Sequence, residues 1–163
     1  MLLSAGGNID LRSAEATNSS SASSQSTSAA IGVDLASGGL TGNASYGKGT
    51  EQANGVSQIN SHVVGSGNVT TASGGDTTLA GAVISGNRVT TVAGGDLNII
   101  SQQDTATYGE KNVGGGIAFS PDRGIFGGAQ KGRTDGDYAN VSEQSGIIAG
   151  SGGYHVTVGD NVA

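Results

Sequence analysis

An all-β fold is what this sequence predicts: a parallel (right-handed) β-helix with coils of about 20 residues and long β-hairpin arms. The main observation is the stretch 67–101, which states one pattern twice, GNVTTASGGDTTLAGAVIS at 67–85 and GNRVTTVAGGDLNIIS at 86–101. At an offset of 20 residues, Val69-Thr70-Thr71 falls on Val89-Thr90-Thr91, Gly74-Gly75-Asp76 on Gly94-Gly95-Asp96, and Leu79 on Ile99. A second observation is composition: 31 glycines, one proline, 12% charged and 4% aromatic residues. Such a chain cannot fill a thick core, so it either stays disordered or builds a thin repetitive core of Val, Ile, Leu and Ala. The third is that no helical period of useful length occurs, whereas short β-branched runs recur.

The elements follow from this pattern. Strands are expected at 69–71, 79–84, 89–92 and 97–100, stacked in parallel about 4.8 Å apart. Val69 then lies beneath Val89 and Leu79 beneath Ile99, all pointing inward. One copy cannot cover its own apolar side chains; stacked copies cover each other. Gly-Gly-Asp at 74–76 and 94–96, with Gly-Gly-Asn at 6–8 and Gly159-Asp160, reads as a corner. There glycine takes a positive φ and the Asx side chain bonds the next backbone amides.

A longer repeat contains the short one. Ala5-Gly6-Gly7-Asn8-Ile9-Asp10-Leu11 returns as Ala93-Gly94-Gly95-Asp96-Leu97-Asn98-Ile99. The chain thus divides into one solenoid fragment, 1–163, with a first module at 5–92 and a second, truncated one at 93–163. The segment 105–143 breaks the period. Val113, Ile117 and Phe119 share one face of an extended run, and Ser120-Pro121-Asp122-Arg123-Gly124 supplies turn chemistry, glycine closing it in the left-handed conformation. Residues 125–141 then return as a second extended run. The first module repeats this hairpin, with Ile31, Val33 and Leu35 alternating before Ser37-Gly38-Gly39. The Ser-rich stretch 18–28 offers little to order it and is the best candidate for local disorder.

Several function classes find no support. The net charge of −6 with scattered acids argues against a nucleic-acid surface, which needs a basic stripe. No apolar run approaches the roughly 20 residues of a membrane-spanning helix. Met1-Leu2-Leu3 has neither the basic nor the apolar region of a signal peptide, so the chain reads as an internal segment. Without cysteine there is no disulfide framework or thiolate zinc site. A calcium-binding β-roll needs a further Gly-x-Asp at nonapeptide spacing, which is missing. His62 and His155 do not superpose in the module alignment and read as surface residues rather than metal ligands. Gly65-Ser66-Gly67 and Gly150-Ser151-Gly152 repeat at module spacing, which suits corners better than a unique catalytic serine. No catalytic residue, cofactor or metal is assigned.

The residues also carry a family resemblance. VTTVAGGDLNIISQQDTATYGEKN at 89–112, followed by SGIIAGSGGYHVTVGDN at 145–161 and joined by Gly81-Ala82-Val83-Ile84, resembles the haemagglutinin repeat of two-partner-secretion exoproteins. That group includes filamentous haemagglutinin and the contact-dependent growth inhibition toxins. The first module departs from the pattern where Arg12-Ser13-Ala14-Glu15-Ala16-Thr17 replaces its S-x-QDT segment. The resemblance implies a piece of a long rod, secreted to the surface of a Gram-negative bacterium through an outer-membrane transporter partner and flanked by neighbouring repeats of the same exoprotein. It also implies a part in toxin delivery.

Three readings follow. The leading one is a structural stalk segment of an adhesin or toxin-delivery exoprotein, without catalysis. An adhesive module is the second, its arms touching a glycan or receptor through Arg123, Lys131 and Arg133. A β-helix carbohydrate-active enzyme is the third, and the chain lacks the run of Asp, Arg or Lys that lines such a groove.

Overall fold

The computed structural model describes residues 1–163 and contains twelve strands and no helix. In chain order these are β1 Leu2–Ala5, β2 Ile9–Arg12, β3 Ala14–Asp34, β4 Gly39–Ile59, β5 Ser61–Val64, β6 Asn68–Ser73, β7 Thr77–Ala80, β8 Ala82–Ala93, β9 Leu97–Ile100, β10 Asp104–Ser120, β11 Gly124–Asn140 and β12 Gly146–Val158. They form two units. One comprises Met1–Thr17, Val56–Thr105 and Ala139–Ala163; the other comprises Asn18–Gly55 and Ala106–Tyr138.

The first unit holds two parallel sheets, neither of them closed on itself. In one, the order is β1-β6-β8-β12, with β5 also pairing β8; in the other it is β2-β7-β9. Val69 stands opposite Val89, and Leu79 opposite Ile99, as the repeat requires. Outer strands keep the same register: Leu2 faces Thr70 and Ile9 faces Thr77, while Tyr154 faces Val89. Gly81 splits the expected strand 79–84 into the end of β7 and the start of β8. Its φ of 69° bends the chain there.

Val69, Leu79, Ala82, Ile84 and Val89 form the buried cluster, with Ile99 only partly covered against it. Each Val, Leu or Ile among them contributes roughly 1.5–3 kcal/mol by leaving water. The core is more polar than its composition foretold. Thr71, Ser73, Thr77 and Thr91 are buried as well, and each has a partner. Thr71 Oγ1 donates to Thr91 Oγ1 at 3.0 Å, and the Ser73 and Thr77 hydroxyls lie 2.8 Å apart. A threonine that bonds its own equivalent one coil away can sit inside a stack at little cost, because each hydroxyl is satisfied by the repeat itself.

The Gly-Gly-Asx corners differ from expectation in two ways. None of their glycines has a positive φ; the only ones that do are Gly38, Gly81, Gly124 and Gly153. Glycine is required there because equivalent corners of neighbouring repeats approach closely. A Cβ on Gly74 would lie 2.3 Å from the Gly6 carbonyl oxygen, and one on Gly94 would lie 2.4 Å from that of Gly74. The Asx side chain, moreover, accepts from the adjacent coil rather than from the next amides along the chain. Asp76 N–H donates to Asn8 Oδ1 at 2.9 Å, Asp96 N–H to Asp76 Oδ1 at 2.9 Å, and Asn161 N–H to Asp96 Oδ1 at 2.8 Å. These bonds link residues 68, 20 and 65 positions apart. Asn161, rather than Asp160, occupies the fourth rung.

Where the long strands leave this unit, polar side chains tie their bases together. Asp104 accepts from the Gln58 amide at 2.6 Å and from the Ser142 hydroxyl, and Ser13 Oγ donates to Gln58 Oε1 at 2.6 Å. The Ser142 bond first, and the Gln58 amide second, hold the Asp104 carboxyl below its ordinary 3.8. A depressed carboxylate stabilises the fold fully above its unfolded pKa and loses that contribution as pH falls through the lower folded value. The urea midpoint of the wild type should therefore fall as the medium is acidified from about pH 5, whereas Asp104→Asn starts lower and declines less. Parallel pH profiles for the two proteins would show that Asp104 does not couple the strand bases to pH.

The second unit is a single four-stranded sheet in the order β11-β10-β4-β3. Neighbouring strands run antiparallel, since close approaches fall as descending pairs. Gly47 meets Ser26 and Gly55 meets Asn18; Gly49 meets Asn112 and Gly116 meets Ser45; Gly115 meets Ala129 and Gly109 meets Asp135. The two expected hairpins are thus present, and they pair with each other through β4 and β10. Residues 18–28 belong to β3 rather than to a disordered stretch, because β4 supplies the backbone partners that this Ser-rich segment cannot find locally. Gly124 closes the second hairpin with a φ of 71°, the left-handed value read from Pro-Asp-Arg-Gly.

Candidate functional site

Both faces of the arm sheet are open: of residues 18–55 and 106–138, only Gly114 is buried. Side chains alternate between faces along each strand, so the antiparallel register decides which residues share one. Gly132 meets Asn112, which sets Lys111 beside Arg133 and Val113 beside Lys131. Gly49 also meets Asn112, which sets Lys48 on the far side of Val113. Lys48, Lys111, Lys131 and Arg133 consequently form a cationic band across β4, β10 and β11, on one face. Adjacent strands lie about 5 Å apart, so the four groups fall within reach of one extended anion.

Asp135 bounds this band. Arg133 Nε donates to Asp135 Oδ2 at 2.5 Å, and its second nitrogen reaches Oδ1 at 3.1 Å. That hydrogen bond, with Lys111 adding a smaller attraction, keeps the Asp135 carboxyl below its usual range; the same bond raises the Arg133 guanidinium. Arg133 is therefore a charge already half-committed to its neighbour.

Of the three cations singled out from sequence, Lys131 and Arg133 are brought together and Arg123 is not. Arg123 sits in the turn beside Asp122, at 3.9 Å, roughly 25 Å along the strand from Lys131. Lys48 and Lys111 were missed. Their parity along the strands is legible, but which strand neighbours which depends on the pairing of the two arms, and no local pattern encodes that.

Toward the turns, the same face becomes apolar. Ile31, Ala29, Ala44, Ile117, Phe119 and Ile125 line a shallow trough there. On the opposite face Ser28 and Ser45 share a 2.7 Å hydrogen bond, Glu110 accepts from Tyr108 at 3.0 Å, and Phe126 and Tyr138 stand exposed. The Tyr108 hydroxyl is raised chiefly by that bond to Glu110. Glu51 and Glu110 thus lie on the face opposite the cations, whereas Asp135 and Asp137 share the face of the band.

The histidines do not meet. His62 lies on β5 with Nε2 at 2.8 Å from Glu143 Oε1, while His155 lies on β12 beside Thr157. Ser66 and Ser151 occupy corners before β6 and within β12; the Ser151 hydroxyl donates to Asn87. None of these groups is arranged as a nucleophile with its base.

Comparison with known proteins gives a consistent answer. The family model described as hemagglutinin repeat matches residues 1–115. A 16S rRNA endonuclease CdiA of Enterobacter cloacae is 38% identical over 119 residues, covering 70% of this chain and 4% of that protein. The deoxyribonuclease CdiA of Yersinia pseudotuberculosis is 34% identical over 98% of this chain and 15% of its own length. That of Dickeya dadantii is 35% identical over 94% and 5%. The chain thus spans a small part of the relatives it matches. No solved structure matches it.

Proposed function

Because the chain belongs to the hemagglutinin-repeat family, we propose that it is a structural segment of a large secreted exoprotein, a right-handed parallel β-helix that holds paired hairpin arms along a stalk. The observation that carries this reading is the register of the first unit. Offsets of 68, 20 and 65 residues, so unequal in the chain, all resolve into one ladder of Asx-to-amide bonds. Long excursions into the arms leave the stacking unchanged, as in a solenoid whose loops are dispensable to its core. On this reading the repeating module runs from 5 to 92 and begins again at 93.

The segment works at the surface of a Gram-negative bacterium or beyond it, and its partners are the neighbouring repeats and the outer-membrane transporter used in two-partner secretion. It performs no catalysis itself. Relatives that share this stretch are named for cleaving different nucleic acids, ribosomal RNA in one case and DNA in others. A region common to both specificities suits display and delivery better than cutting. Small-angle X-ray scattering on a tandem duplication tests the proposal. Four coils per copy at about 4.8 Å each should lengthen the particle by about 19 Å. A second copy that adds mass without adding length along one axis would overturn it.

A second reading is favoured by the cationic band: the arms bind an anionic glycan through Lys48, Lys111, Lys131 and Arg133, with Arg123 outside the patch. The chain should be retained on a heparin column at low salt despite its net charge of −6. Changing the four band residues to Gln should abolish retention, whereas Arg123→Gln should leave it within about twofold, since contacts beyond roughly 10 Å are screened. Equal loss for both variants would exclude the band as the site.

A further inference from the structure

We infer that the two outer edges of the arm sheet, β3 and β11, pair with each other between copies of this chain, extending the sheet from one copy to the next. The sheet order β11-β10-β4-β3 leaves both edge strands with one side unpaired. β3 runs from Ala14 to Asp34 and β11 from Gly124 to Asn140, so each offers a long row of free amide and carbonyl groups. Proteins normally blunt such edges with charge, proline, bulges or a covering element. β3 has none of these devices: from Ala16 to Val33 it contains no charged residue and no proline.

The junction already made inside the chain is the template. Two hairpins of separate sequence origin meet there through β4 and β10, with glycines at the contact. Gly114 lies against the Tyr46 carbonyl and Gly116 against that of Ala44. β11 is equally lean, with Gly127, Gly128, Gly132 and Gly136, and β3 is built from Ser and Ala. Direction fits as well. The strands alternate across the sheet, so a β3 placed beside β11 of another copy continues the antiparallel order. Because the two edges differ, the contact is heterologous and does not close; it propagates.

Apolar exposure points the same way. On the face that carries the trough, the inner-strand residues Phe119 and Leu40 are 42% and 56% exposed. The edge residues Ile31 on β3 and Ile125 on β11 are 82% and 80% exposed. Joining the edges sets these last two near each other and gives each the lateral neighbour that the inner strands already have. The stretch Ala16–Val33 of β3 brings no charge against those of β11.

The chain has no cysteine, so paired single-cysteine variants report the contact directly. Ser26→Cys on β3 and Gln130→Cys on β11 stand level in the register that sets Ile31 beside Ile125, and within one sheet they are separated by three strand spacings, about 14 Å, too far for a disulfide. Mixed and mildly oxidised, the two variants should give a covalent heterodimer at least tenfold in excess of either homodimer. A chain carrying both cysteines should give a ladder of trimers and larger species. Homodimers in equal yield, or no cross-linking at millimolar concentration, would overturn the inference. A chain with Ser23→Lys, Gln25→Lys and Ile31→Lys should keep its β circular dichroism and weaken association at least tenfold in sedimentation. Undiminished association in that variant would place the contact elsewhere and likewise overturn the inference.

Discussion

Excising both arms should leave the parallel sheets folded. Thr17 and Val56 are cross-strand neighbours in the register that sets Gly55 against Asn18, and Thr105 and Ala139 are neighbours in the register that sets Gly109 against Asp135. Residues 18–55 and 106–138 can therefore each be replaced by Asn-Gly, the pair that closes a two-residue hairpin. The excised residues contribute one buried position, Gly114, whereas the retained ones contain the whole apolar cluster. Thermal unfolding should remain cooperative. Deleting 86–101 should have the opposite result. It removes Val89, Thr91, Ala93 and Leu97 from the interior, and with them most of β8, the strand that β5, β6 and β12 all pair with. Lost burial of several kcal/mol on that scale is comparable to the whole stability of a small domain. Circular dichroism and limited proteolysis separate the outcomes. Unfolded coils in the armless protein would mean that the arms are part of the core.

The second large effect is predicted at one methyl group. Gly94→Ala should destabilise the protein by about 3 kcal/mol, because the added carbon meets a backbone oxygen that cannot move without shifting a coil. That carbon would stand 2.4 Å from the Gly74 carbonyl oxygen. Gly6→Ala is the control. It occupies the same column, yet a Cβ there meets nothing within 4 Å. Its effect should stay within about 0.5 kcal/mol, as at an ordinary surface site. Urea titrations of the two variants give the comparison. Equal losses would mean that glycine is needed at these corners for backbone freedom rather than for close approach.

Much of this fold is legible in the chain itself. The 20-residue repeat predicts the pairing of β6 with β8 and β7 with β9 to the residue, because in a parallel stack identical side chains must lie above one another. The resemblance carried by 89–112 and 145–161 points to the hemagglutinin repeat, the family to which the chain belongs. Turn chemistry at 120–124 likewise marks the hairpin and its left-handed glycine.

What tertiary structure alone decides is everything that depends on contacts between segments far apart in sequence. The corner glycines look like positive-φ residues until the neighbouring coil shows a carbonyl where a Cβ would stand. Asp76 and Asp96 look like local turn formers until their oxygens are found on amides one coil away. Residues 18–28 lack any reason to be ordered until β4 provides a ladder for them. Lys48 and Lys111 join Lys131 and Arg133 only when β4 lies beside β10. A strand's alternation tells which of its own residues share a face, but the choice of neighbouring strand is made by backbone hydrogen bonds that carry no side-chain signature. For that physical reason the pairing of the repeated strands can be read from sequence, and the composite surface of the arms cannot.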